Sequence, residues 1–117
     1  MTGGAGHAGI AARWATLTLA EQLAHVGSEV ERTLRAHETR NPSRREHALA
    51  RALELFDVTV ADHRWRGPRR REILRAREIF CGSVAEAAAP LEGVAGLRRF
   101  FLAFASLARR KSPRRLT

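Results

Sequence analysis

Apolar residues recur along this chain at helical rather than strand spacing. Leu19, Leu23, Val26, Val30 and Leu34 stand four, three, four and four residues apart, the interval that lines one side of an α-helix. A second stripe runs through Leu49, Leu53, Phe56 and Val60, and Leu55 and Val58 widen it. A helix with so broad an apolar face is expected to touch more than one neighbour. Val94, Leu97, Phe101, Phe104 and Ala108 form another stripe, flanked by Phe100 and Leu107, while Ile73, Leu74, Ala76, Ile79 and Phe80 make a thinner one before it.

The residues between the stripes predict where each helix starts and stops. Thr18 and Glu21 have the spacing of a capping box at the head of the first helix, which Asn41-Pro42 should end. Ser43 and Glu46 repeat that spacing, so the second helix is expected to start there and to run to about Asp62. Gly67-Pro68 offers a break and then a proline suited to the first turn of a third helix, predicted over 68–81 with Gly82-Ser83 as its stop. A helical turn and a connector should follow, then a last helix over 93–110. Residues 1–12, rich in Gly and Ala, read as a mobile tail and 111–117 as a basic one. The expected fold is all-α: an antiparallel up-down four-helix bundle over residues 13–110.

Composition agrees with a single helical domain, since 117 residues suffice for one core and tyrosine is absent while alanine, leucine and arginine abound. Charge adds something the stripes do not show. Residues 1–61 hold seven arginines against seven acids, whereas residues 62–117 hold fourteen basic residues against five acids. The whole excess of +9 therefore lies in the second half, and such asymmetry points to a polyanionic partner. Cys81 is the only cysteine, which excludes an intrachain disulfide and suits the reducing cytoplasm. FFLAFASLA at 100–108 is far shorter than a membrane span, and the first residues lack the pattern of a secretory signal. No membrane partner is expected.

Catalytic chemistry finds no foothold in the sequence. The histidines lack the HExxH spacing that would set two imidazoles on one helical face. Cys81 is expected at a helix C-terminus, the end of the dipole that does not favour a thiolate. GGAGHAG neither follows a strand nor leads into Gly-Lys-Ser/Thr, and no serine or threonine has an identifiable base. The expectation is a protein without enzyme activity, metal or cofactor. Glu29 with Arg32, and Arg51 with Glu54 and Asp57, border the apolar stripes and are read as pairs that fix register between helices.

The basic stretch is a stronger signal. Arg64, Trp65, Arg66, Arg69, Arg70, Arg71, Arg75 and Arg77 crowd the turn before the third helix and much of that helix. Arg109, Arg110, Lys111, Arg114 and Arg115 end the chain, and an antiparallel bundle would bring them to the same end. Guanidinium groups suit phosphate oxygens, and Trp65 would either stack on an unpaired base or pack on the bundle. The favoured partner is RNA or DNA, held by its backbone. A solvated face, or a module that binds an acidic protein, are the competing readings. The broad apolar faces of the second and last helices suggest a homo-oligomer.

Three stretches, WATLTLAEQL (14–23), VGSEVER (26–32) and RALELFDVTVAD (51–62), resemble a group of small bacterial proteins. Their members read W-x-x-L-x-L-x-E-Q-L, then I/V-G-S-E, then R-A-L-E-L-x-D. The resemblance covers residues 14–80 best and implies an all-helical fold. More distantly, in size, basicity and bundle pattern, the chain is similar to the four-helix accessory proteins of diversity-generating retroelements. Those are ring-forming oligomers that bind RNA and a reverse transcriptase. That likeness implies an accessory role beside a nucleic-acid enzyme.

Overall fold

The computed structural model describes residues 9–85 and 91–110. Among them every regular element is helical and none is a strand. A short helical segment over 9–14 starts inside the stretch expected to be a tail. Four long helices follow: α1 (Leu19–Glu38), α2 (Pro42–Ala61), α3 (Pro68–Ala85) and α4 (Leu91–Arg110), with one 3-10 turn at His63–Trp65 between α2 and α3.

Local chemistry sets most of these limits. The Glu21 N–H donates to Thr18 Oγ1 at 3.1 Å and the Thr18 N–H donates to Glu21 Oε1 at 2.9 Å, so both halves of the capping box form. At the other end of α1, Arg40 adopts a left-handed φ of 55°. The Arg40 N–H then reaches His37 O at 3.2 Å and the Asn41 N–H reaches Ala36 O at 2.8 Å, the paired bonds of a Schellman closure.

Asn41 also opens α2, because its side-chain oxygen accepts the Arg44 N–H at 3.2 Å. The cap is therefore Asn41 and not Ser43 as the spacing suggested. Proline has no N–H to lose in a first turn and its φ is already helical, so Asn41-Pro42 ends one helix and begins the next.

Contrary to expectation, α3 runs through Gly82-Ser83 instead of stopping there. Ser83 Oγ donates to Ile79 O at 2.7 Å, so the hydroxyl is satisfied inside the helix. One mid-helix glycine costs only about 1 kcal/mol, less than the burial of Ile73, Ala76 and Phe80 on this helix returns. The helical turn and connector expected over 83–93 are taken up at their ends by α3, to Ala85, and by α4, which begins at Leu91, two residues earlier than its stripe suggested, while 86–90 lie outside the described residues.

The core gathers around α1, whose Leu23, Val26 and Val30 are buried. Phe56 of α2 meets Phe80 of α3 and Phe101 of α4, with ring centroids 5.9 and 6.0 Å away. α1 runs antiparallel to α2, since the tight link joins their near ends while Gln22 reaches Asp62 at the other. It is antiparallel to α4 as well: Gly27 lies against Phe101, and Glu31 pairs with Arg98. A Cβ on Gly27 would stand 2.9 Å from the Phe101 Cβ, closer than two such atoms tolerate. Gly27 is thus what lets α4 approach α1.

Two glycine substitutions should consequently differ in sign. Gly27→Ala is expected to lower stability by about 1–3 kcal/mol by driving α4 outward. Gly82→Ala meets nothing within 4 Å and should raise it by roughly 0.5–1 kcal/mol. Urea melts of the two variants would read both effects.

Candidate nucleic-acid interface

The turn that carries the first arginines is anchored by a buried amide. Gln22, on the first turns of α1, has no exposed surface. Its Nε2 donates to Trp14 O at 2.8 Å and to Asp62 Oδ2 at 3.0 Å, and its Oε1 accepts the indole N–H of Trp65 at 2.8 Å. The Trp14 indole N–H in turn donates to Thr59 Oγ1 at 2.8 Å, and that hydroxyl donates to Leu55 O. Four separate pieces of chain (the segment before α1, α1, the end of α2 and the 3-10 turn) are fastened to one polar cluster. A buried amide that uses both donors and its acceptor stabilises the fold; any missing partner would leave an unsatisfied group.

Asp62 extends the cluster outward. Its carboxylate takes Arg64 Nη2 at 2.7 Å and Arg64 Nε at 3.0 Å, and the Arg64 backbone N–H at 3.0 Å. Arg64 Nη2 also donates to Leu17 O at 2.9 Å, and the guanidinium carbon sits 4.5 Å from the centre of the Trp65 ring. Hydrogen bonds from Arg64, then from Gln22, hold the Asp62 carboxyl well below its ordinary range against the opposing effect of burial. The same pair raises the Arg64 pKa, with Asp62's hydrogen bonds as the largest cause. Arg64 is therefore already neutralised within the fold, and Trp65 is held at its N–H and covered on one face.

The remaining arginines divide into two sets. Arg77 is paired with Asp57 of α2 at 3.2 Å, and half-buried Arg70 turns back toward Asp62 O at 3.5 Å. Both sit on the flank of α3 that faces α2. Arg71 and Arg75, one helical turn apart, occupy the outer face, and Arg66 and Arg69 stand exposed at the helix start. Among the described residues no carboxylate forms an ion pair with Arg66, Arg69, Arg71 or Arg75. Arg109 and Arg110 are exposed on the last turn of α4. Lys111, Arg114 and Arg115 lie outside the described residues.

Long-range pairing was the part that sequence could not reveal. Arg98 donates to Glu31 at 2.9 Å and pairs with Glu38 at 3.2 Å, clamping α4 to α1. Burial pushes Glu31 up, but hydrogen bonds from Arg98 and Arg35 outweigh it and hold the carboxyl below its ordinary value. Of the residues expected to pair between helices, Asp57 does so, with Arg77 of α3, whereas Arg32 meets Glu29 and Arg51 meets Glu54 within one helix, each three residues apart. A groove of about 750 Å³ between α1 and α2, lined by Arg32, Arg35, Arg44, His47 and Arg51, has no counterpart in the sequence reading. Three of its arginines already hold glutamates of their own helix, so the groove is close to balanced in charge.

No family model, curated protein or solved structure matches the chain.

Asp62 gives the cluster a pH dependence with a definite sign. Its folded pKa lies below that of an unfolded aspartate, about 3.9, so the stability it contributes is complete above roughly pH 5 and is lost as pH falls through 4 and below. Asp62→Asn should lower stability by about 2 kcal/mol at neutral pH and flatten this acid limb. Denaturation followed by circular dichroism from pH 7 to pH 3 would test it; an unchanged acid limb would contradict the assignment.

Proposed function

We propose that the protein binds nucleic acid without catalysis, through backbone phosphates, at the end of the fold where α3 begins. The observation that carries this reading is the division of the arginines. Arg64, Arg77 and Arg98 are satisfied by carboxylates of the same fold, whereas Arg66, Arg69, Arg71 and Arg75 present free cations on one helix and its approach. Arg109 and Arg110 add exposed charge on the last turn of α4. Guanidinium groups this dense repel one another unless an anion lies between them. The proposed footprint is consequently narrower than the thirteen residues read from the sequence, and Trp65 and Arg64 support it from beneath.

The arrangement of helices belongs to this reading as an antiparallel up-down bundle, supported by the opposed senses of α1 with α2 and of α1 with α4. No helix among the described residues is long and apolar enough to cross a membrane. Within the reading the protein is cytoplasmic and homo-oligomeric. Oligomerisation draws on apolar side chains left in solvent, with Leu102 at 62% and Leu74 at 41% of full exposure. An accessory role beside a reverse transcriptase, taken from the resemblance to retroelement proteins, is the most specific form of the proposal.

Filter binding of the purified protein to mixed-sequence DNA or RNA at several salt concentrations tests the core claim. With about four phosphates neutralised, the logarithm of affinity should fall with the logarithm of salt at a slope near −3.6. Changing Arg69, Arg71 and Arg75 together to Ala should reduce affinity by roughly a hundredfold or more while leaving the melt unchanged. A shallow slope, with capture of an acidic polypeptide, would favour the competing protein-binding reading.

A further inference from the structure

The chain contains five phenylalanines, two tryptophans and no tyrosine, and the structure accounts for all seven rings. Trp14, Phe56, Phe80 and Phe101 are buried. Phe100 and Phe104 are half-buried on α4 and pack edge-on against each other at 5.1 Å. Trp65 is the one ring beside the free arginines. Its N–H is committed to Gln22, one face carries Arg64, and its body packs on the core. Releasing that face means breaking the Arg64 bonds to Asp62 and Leu17.

Proteins that hold single strands combine a basic groove with aromatic rings on which successive bases stack. Here the charge is present and the stacking surface is not. His63, exposed on the same turn, supplies one small imidazole, too little for a run of bases. The free cations are instead arrayed on a rigid element: Arg71 and Arg75 are one turn, about 6 Å, apart along the axis of α3, with Arg69 and Arg66 at its head. Such a fixed array favours a ligand whose phosphates are themselves fixed and dense. A duplex offers about one negative charge per 1.7 Å of axis, whereas a single strand must be ordered on binding and gains no stacking in return.

We infer that this surface takes double-stranded rather than single-stranded nucleic acid. The inference rests on the nucleic-acid reading and narrows its ligand to the duplex form.

The test is a fluorescence-anisotropy titration of the full chain with three probes at one salt concentration: a mixed-sequence DNA duplex, one of its separated strands, and oligo-dT of equal length. The duplex should bind roughly tenfold or more tightly than either strand. Intrinsic tryptophan emission should stay nearly constant at saturation, because neither indole is free to stack. Changing Arg71 and Arg75 together to Ala, both on the solvent face of α3, should lower duplex affinity and reduce the salt slope by about two. Equal or tighter binding of a single strand, or strong quenching of tryptophan by oligo-dT, would overturn the duplex assignment and leave nucleic-acid binding intact. Failure of all three probes to bind would overturn the underlying reading as well.

Discussion

The side-chain amide of Gln22 is the constraint on which the basic end of the molecule depends. Helix packing alone fixes where α1 and α2 lie, but it does not fix the chain that leaves α2. That chain is fixed because one buried amide holds a carbonyl before α1, a carboxylate at the end of α2 and an indole in the following turn. Asp62, so placed, then orients Arg64, and Arg64 covers Trp65. The direction in which α3 departs, and with it the aim of Arg66 and Arg69, follows from this sequence of contacts. A buried polar cluster is costly when incomplete and specific when complete; this one is complete at Gln22.

Much of the arginine content has a structural task. Arg98 joins α4 to α1, Arg77 joins α3 to α2, and Arg64 closes the turn onto the segment before α1. Each of these guanidiniums uses directional donors to bridge elements far apart in sequence, which a lysine ammonium would do less well. Net charge therefore overstates the cationic surface available to a partner. Among the described residues, the arginines that form no ion pair are the row on the approach to α3 and its outer side, the last turn of α4, Arg40, Arg44 and Arg45 around the α1–α2 link, and Arg13, Arg70 and Arg99; the row at α3 is the longest of these.

The sequence made the helical class legible because three apolar stripes and the Thr18 capping box are local signals, complete within a few residues. Asn41-Pro42 reads locally as a stop, which hides its second role as the start of α2, and Gly82 reads as a stop because the burial of Phe80 around it is not a local signal. Gln22 was invisible for a different reason. Amphipathic patterning assigns a glutamine to the surface, and only tertiary structure supplies the three partners that allow it inside. The basic end was legible as a cluster, yet its division into paired and free members was not, since Asp57 lies on another helix and Asp62, two residues from Arg64, belongs to an irregular turn whose side-chain pairing no periodicity reveals.

The link between α1 and α2 carries a geometric consequence of its own. Asn41 closes one helix with its backbone N–H and opens the next with its side chain, so no residue in the connection is spare. A residue added or deleted there and taken up by the first turn of α2 would rotate the rest of that helix by roughly 100° about its axis and swing Thr59 and Asp62 away from Trp14 and Gln22. The hairpin loop thus works as a phase lock: its length, set at one end of the molecule, determines whether the arginine turn assembles at the other.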